Sequence, residues 1–174
     1  TGEFHMRKGL FTLLSLVCAG LIWAAPAPAN AADKIVIRFA HSNTPSDMDP
    51  YHALVTKMND KLVKKLGADR IEIQEFPAGQ IGSEERSFQD VQQGVIQIAS
   101  LASNNAAVFA PSLYVIDLPY LFRTNQEGWA ILDKYWDELN AKTIKESGNR
   151  IIGWLDLGYR HVCNSKRPIR TIED

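Results

Sequence analysis

Ile35-Val-Ile-Arg-Phe-Ala40, a loop from His41 to Met48, Asp49-Pro50 opening a periodic stretch that closes at Gly67, and Ile71-Glu-Ile-Gln-Glu-Phe76 together decide the fold. The first run is compact and β-branched, which predicts a strand. Asp49 has the side chain of a helix N-cap, and Pro50 fits the first helical position, where a missing N–H costs nothing. Leu54, Met58, Leu62 and Leu66 recur every fourth residue, with Val55 and Val63 widening the stripe, so this line is predicted to face the core. Lys57, Asp60, Lys61 and Lys64 then face water, and Gly67 supplies the stop. Residues 71–76 alternate with period two, the pattern of a strand covered more on one face than the other.

The alternation continues downstream. Pro77 to Gly82 reads as a turn, and Ser83 caps a helix with Glu84 and Glu85 in its first turn, Phe88 and Val91 on its buried side and Gly94 at its end. Ile96 to Leu101 is predicted to be a third strand, with the polar stretch Ser103-Asn104-Asn105 at its carboxyl end and a short helix to Ala110 after it. Asn125 to about Glu146 carries Trp129, Leu132, Tyr135, Trp136 and Leu139 at helical spacing, which predicts one helix with its aromatics in the core. Gly148 breaks it, Arg150 to Leu157 reads as a fourth strand, and His161 to Asn164 continues as an extended piece after a turn at Gly158.

Strands alternating with helices make parallel β-α-β units, so the expected class is α/β, a mostly parallel sheet flanked by helices. Such sheets take ligands in the crevice beyond the carboxyl ends of their strands. Three loops end there: His41 to Asp47, Ser103 to Asn105, and Gly158 to His161.

Composition narrows the partners. The chain has 174 residues, 45% hydrophobic and 22% charged, with a formal net charge of −1, in the range of a soluble globular domain. Balanced charge lacks the basic footprint of a nucleic-acid binder, so no nucleic-acid partner is expected. Two cysteines, Cys18 and Cys163, cannot build a disulfide framework, and stability must come from apolar burial.

The amino terminus reads as an address. Residues 1–5 have the look of a cloning remnant before a start at Met6. Residues 6–31 form a secretory signal: the basic pair Arg7-Lys8, an apolar run from Leu10 to Ala25, and Ala29-Asn30-Ala31 as an A-x-A cleavage site. The run is short of the roughly 20 residues of a spanning helix and is closed by a Pro-Ala segment, so no stable membrane insertion is expected after cleavage. Cys18 lies mid-run behind Val17, which does not suit a lipidation site. Export and the absence of an internal disulfide pair point to a bacterial periplasm.

Local motifs for chemistry are few. The chain has no G-x-S-x-G, Walker loop or G-x-G-x-x-G, so nucleophilic and nucleotide chemistry find no support, and no cofactor is expected. His161 and Cys163 offer two metal-ligand types without a third, and no metal site is expected. Glu84 and Glu85 are explained by their place at a helix start, and Gly79-Gln-Ile-Gly82 by a turn. His41, just past the first strand, is open between a buried, hydrogen-bonded histidine and a ligand donor. Arg160, beside Gly158 and Tyr159, offers either a surface salt bridge or a planar fork for a carboxylate.

Five segments, taken together, resemble the amino-terminal half of the solute-binding proteins of TRAP (tripartite ATP-independent periplasmic) transporters. They are Ile37-Arg-Phe-Ala-His41, Phe76-Pro-Ala-Gly-Gln-Ile-Gly82, Val91-Gln-Gln-Gly-Val-Ile-Gln-Ile-Ala99, Ile116-Asp-Leu-Pro-Tyr-Leu-Phe122, and Gly158-Tyr-Arg-His161 with Asn164 to Asp174. The resemblance implies a periplasmic-binding-protein-like lobe over 32–157, and a crossover strand with the start of a second lobe over 158–174, most of that second lobe being absent from this chain. The family's main carboxylate-binding arginine would follow Asp174, so a fragment or truncated form is expected, one that binds no ligand tightly.

The same resemblance implies a non-enzymatic protein that captures a small organic acid in the periplasm and delivers it to TRAP membrane permease subunits driven by an ion gradient. Arg160 fits the family's other carboxylate-contacting arginine. His41, Ser42, Asn43, Ser103, Asn104 and Tyr159 fit the first-lobe side of the cleft. Ala102 stands where some acid-sugar binders carry glutamate, which weighs against that ligand class. The rival readings are a periplasmic sensor, and a secreted enzyme whose catalytic groups lie in a missing carboxyl half.

Overall fold

The computed structural model describes residues 33–160 and 163–171. The expected cloning remnant and signal peptide, the pair His161-Val162 and the last three residues lie outside the described residues. Among the described residues no helix is long and apolar enough to cross a membrane.

Three parallel strands form the sheet. β1 (Ile35–Ala40) lies in the middle, β2 (Ile71–Phe76) pairs with it from Ile35↔Ile71 to Ala40↔Phe76, and β3 (Ile98–Ala99) pairs on its other side at Phe39↔Ile98 and Ala40↔Ala99. Burial deepens along β1: Ile35 and Val36 are exposed, whereas Phe39 and Ala40 are buried. The packed end of the sheet is therefore its carboxyl end, where the loops of interest leave it.

α1 (Pro50–Leu66) starts and stops as its sequence dictates. The Asp49 side chain accepts from the His52 N–H at 2.9 Å, Pro50 opens the helix, and the Gly67 N–H donates to the Val63 carbonyl at φ +98°. Its buried line differs from the expected one. Tyr51 and Val55 are buried and Met58, Asn59 and Leu62 half-buried, while Leu54 and Leu66 are exposed. The cause is the sheet edge: β2 is an outer strand, and the Ile73 N–H, turned away from β1, donates to Asn59 Oδ1 at 3.1 Å. An unpaired backbone donor there would be costly, so the helix face carrying Asn59 turns to the strand.

α2 (Glu84–Gln92) is capped by Ser83, which accepts from the Arg86 N–H, and the chain turns away at Gly94. β3 spans two residues, shorter than the expected Ile96–Leu101. The chain enters it straight from the turn after Gly94, held by Gln97 N–H to the Arg38 carbonyl, and leaves it after Ser100 N–H donates to the Ala40 carbonyl. The polar stretch expected as a loop is the first turn of α3 (Ser103–Ala107), and a 3₁₀ helix covers Pro111–Asp117.

The expected single helix is two, α4 (Asn125–Lys134) and α5 (Trp136–Ser147), parted at Tyr135, whose φ of −100° and ψ of 14° leave the helical range. Trp129 and Tyr135 are 50% and 45% exposed, so the expected aromatic core fails there; Leu139, Asn140 and Thr143 are the buried residues of α5. Residues 150–157 form no strand. Instead of a neighbouring backbone, the Asn140 amide serves Ile151, donating to its carbonyl at 3.0 Å and accepting from its N–H at 3.2 Å. A ladder needs a second strand, and a single side-chain amide satisfies one residue only.

The core gathers Phe88, Ala106, Ala107, Ala110 and Leu113, with Leu101, Phe109, Ile151 and Trp154 packed against it. Phe88 and Phe109 stack at 4.8 Å between ring centroids, an arrangement worth about 0.5–1.5 kcal/mol beyond area burial. This cluster joins α2 to α3 and so fixes the two elements that frame the site.

Candidate functional site

The loop after β1 is held by its backbone before any side chain acts. The His41 N–H donates to the Phe76 carbonyl at 3.1 Å, the Gly79 N–H to the His41 carbonyl at 3.1 Å, and the Ala78 N–H to the Asn43 carbonyl at 2.8 Å. These bonds carry strand-like pairing beyond the ends of β1 and β2. Ala78 and Gly79 both have positive φ, +52° and +67°, which folds Pro77–Gly82 back against the loop. Glycine takes such angles freely, whereas alanine does so at a cost, offset here by its bond to Asn43.

His41 is 3% exposed, and its Nε2 sits 2.8 Å from Glu75 Oε1. Its ring stacks on Tyr51 at 5.6 Å. His52 Nδ1 reaches both Glu75 oxygens at 2.9 Å. Burial pushes the Glu75 carboxyl up, but the bonds from His41 and His52 outweigh it and hold it below the usual carboxylate range. The same Glu75 contact draws His52 upward. Burial also opposes ionisation of Asp49, yet bonds from the His52 N–H and the Asn43 amide, the latter at 2.7 Å, keep its carboxyl low.

Two of the three predicted loops meet. Ser42 Oγ donates to Glu84 Oε1 at 2.6 Å, while the Ala102 N–H and the Asn105 amide donate to Glu84 Oε2 at 2.8 and 2.7 Å. Ser103 Oγ donates to Asp117 Oδ1 at 2.5 Å, and the exposed Asn104 amide donates to Asn105 Oδ1 at 3.0 Å. Tyr159, exposed, donates its hydroxyl to the Arg123 carbonyl at 3.3 Å and so leans on the loop before α4. Arg160 is exposed, with its charge within reach of Tyr51: burial raises the Tyr51 phenol, Glu84 and Asp49 raise it further, and Arg160 lowers it. One phenol thus senses Glu84, Asp49 and Arg160 together.

Sequence reading singled out the loops but not Tyr51, Glu75, His52 or Glu84 as parts of this cluster. Glu84 was absorbed by its helix start, and Tyr51 follows an N-cap and proline that already explained the position. Among the described residues no group of three His, Cys, Asp or Glu side chains is arranged to hold a metal. A hollow of about 230 Å³ lined by Asp47, His52, Ala53, Thr56 and Lys57 lies beside the histidine pair and includes none of the predicted ligand residues.

Comparison with known proteins gives a consistent picture. A model of the bacterial extracellular solute-binding proteins of family 7 matches residues 39–174. The 2,3-diketo-L-gulonate-binding periplasmic protein of Escherichia coli is 29% identical, over 79% of this chain and 41% of that protein. A TRAP periplasmic solute-binding protein of Xanthobacter autotrophicus, solved with bound β-D-galacturonate, is 31% identical at a TM-score of 0.58, over 63% of this chain and 36% of that one. An open, ligand-free TRAP solute-binding protein of Rhodobacter sphaeroides is 30% identical at the same TM-score, over 65% of this chain and 36% of that one. The chain spans 41–48% of the length of the curated relatives such as these.

Proposed function

The chain belongs to the bacterial extracellular solute-binding proteins of family 7, and from that premise we propose that it captures a small organic acid and delivers it to a TRAP-type, ion-gradient-driven membrane transporter. It acts by binding alone, in the periplasm, after cleavage of the signal at residues 6–31. Residues 32–157 supply the first lobe and residues 158–174 begin the crossing to a second.

One observation carries this reading: at the carboxyl end of the sheet, the loop at Ser42 and the start of α3 meet beside Tyr51, within the field of Arg160. Parallel sheets take small ligands at such a place. Arg160 is the carboxylate anchor, since its planar fork can donate two parallel hydrogen bonds. Ser42, Asn43, Ser103, Asn104 and Tyr159 complete the polar rim. His41, buried on Glu75, serves by holding the loop rather than by reaching the ligand.

Energetics are sufficient. Charge-assisted hydrogen bonds contribute roughly 1.5–3 kcal/mol each, and micromolar affinity needs about 8 kcal/mol in all. A ligand that gains its full set of contacts only in a closed form shifts the population toward that form by its differential affinity.

The two relatives described with ligands bind sugar acids, both carboxylates. Ala102 lacks the side-chain carboxylate of some acid-sugar binders, and the Glu84 carboxylate beside its N–H is already bonded to three protein donors. On the strength of those two relatives, sugar acids head the substrate class, ahead of C4-dicarboxylates and keto acids.

A thermal-shift screen of the protein as its gene encodes it, against uronates, aldonates, dicarboxylates, keto acids and aromatic acids, tests the proposal, since a ligand that binds only the folded form raises the melting temperature. A rise confined to one class of carboxylate is expected. No rise with any acid, in folded protein freed of carried-over ligand, would overturn it.

A further inference from the structure

We propose that Glu84 is the positioning residue of this site, tying the loop after β1 to the start of α3 so that the two polar segments meet a ligand at one fixed spacing. The inference rests on the binding function proposed above. Glu84 accepts three hydrogen bonds from two segments far apart in sequence: Ser42 Oγ at 2.6 Å on one oxygen, the Ala102 N–H at 2.8 Å and the Asn105 amide at 2.7 Å on the other. Nothing else among the described hydrogen bonds links residues 41–47 to residues 100–107.

Glu84 is itself set by rigid parts. Gly82 at φ +128° turns the chain into Ser83, whose side chain caps α2, and Phe88 one turn on is buried in the core. The ordinary role of a carboxylate in a first helical turn falls to its neighbour: the Ser83 hydroxyl and its own backbone N–H hold the Glu85 carboxyl below the usual carboxylate range. Glu84 is thereby left to the loops.

Charge alone argues for the opposite effect on binding. Glu84 places a negative charge within the same neighbourhood as Arg160, as their joint influence on Tyr51 records, and a negative charge there disfavours an anionic ligand. If Glu84 were only a charge, its neutralisation would tighten binding. If it positions the rim, replacement by methionine, neutral and of similar length but offering the three donors no oxygen, weakens binding; glutamine would preserve the arrangement, since its oxygen can accept from the Ala102 N–H and the Asn105 amide while its NH2 donates to the Ser42 hydroxyl.

The test compares wild type, Glu84→Met and Asn105→Ala in the protein as its gene encodes it, by titration with galacturonate or whichever organic acid the screen identifies and by amide hydrogen exchange without ligand. The expected result for Glu84→Met is a tenfold or greater rise in Kd, with exchange at 41–47 and 100–105 accelerating together while β1 and β2 stay protected. Asn105→Ala, which removes one of the three bonds, shows a smaller rise in Kd and faster exchange at 100–105. A lower melting temperature with unchanged Kd in both variants would reduce Glu84 to a structural residue and overturn the proposal. Unchanged or tighter binding by Glu84→Met, or exchange accelerated by Glu84→Met in only one of the two segments, would overturn it as well. Should no acid bind the wild type, the functional reading fails, and the exchange measurement alone decides whether Glu84 couples the two segments.

Discussion

His41 Nε2 lies 2.8 Å from Glu75 Oε1, and the His41 side chain has no exposure to solvent. The loop that leaves the central strand is thereby bonded to the next-to-last residue of its neighbour, and His52 joins the same carboxyl group from α1. Strand, loop and helix meet on one side chain. The Glu75 carboxyl is held low, so its contribution to stability is present above its unfolded value, about 4.3, and is lost as pH falls through the lower folded value. His52 is drawn up, so its contribution is complete below about pH 6.5 and is lost as pH rises through the higher folded value. The pair therefore stabilises most between about pH 4.5 and 6.5. Urea unfolding across pH 4 to 9 should show stability declining on the alkaline side of this window in wild type, and a shallower decline in His52→Gln. Equal slopes would contradict the His52–Glu75 linkage.

Asp49 serves two partners, the His52 N–H as N-cap and the Asn43 amide across the loop. Asp49→Ala should cost about 1–2 kcal/mol, the upper range for loss of an N-cap, read as a lower urea midpoint at constant slope. Asp49→Asn keeps a capping oxygen and should recover most of that loss. An alanine variant as stable as wild type would show that the cap contributes nothing.

Gly82 combines φ +128° with a tight approach: a Cβ there would stand 2.8 Å from Arg86 Cγ. Arg86 can move, since its side chain is flexible, but the backbone angle cannot be relieved so easily. Gly82→Ala should destabilise by about 1–2 kcal/mol and also disturb the placement of Glu84 two residues on. Gly94→Ala is the control, because a Cβ at Gly94 meets nothing within 4 Å though its φ is also positive. Gly94, at φ +72°, lies near the left-handed region that alanine can enter, so Gly94→Ala should cost less; equal losses in the two variants would show that the Gly82 conformation adds no strain of its own.

Features with local causes were legible in the sequence. Asp49-Pro50, Gly67, Ser83 and Gly94 mark helix ends because capping and left-handed geometry depend on one or two residues. Tyr135 separates α4 from α5 with neither glycine nor proline to signal it, and its break coincides with an edge-on contact of Trp136 on Trp154 at 6.3 Å. That contact is tertiary and leaves no mark on periodicity. Residues 150–157 have strand composition, but strand formation depends on a partner, and the Asn140 amide meets Ile151 instead. At the site, the loops at Ser42 and Ser103 were legible as polar segments beyond strand ends. Glu75, Glu84 and Tyr51 were not, because what distinguishes them is a set of long-range bonds, while their local positions have sufficient ordinary explanations.

The central claim is that Arg160 anchors the carboxylate of a small organic acid, and calorimetric titration of wild type, Arg160→Lys and Arg160→Ala with the acid found by the thermal screen tests it most directly. Removing one charge-assisted contact of about 1.5–3 kcal/mol predicts at least a tenfold loss of affinity in Arg160→Ala. Partial recovery is expected in Arg160→Lys, whose ammonium keeps the charge without the planar fork, with the melting temperature of the unliganded protein unchanged, as befits an exposed side chain. Undiminished affinity in Arg160→Ala would contradict the account.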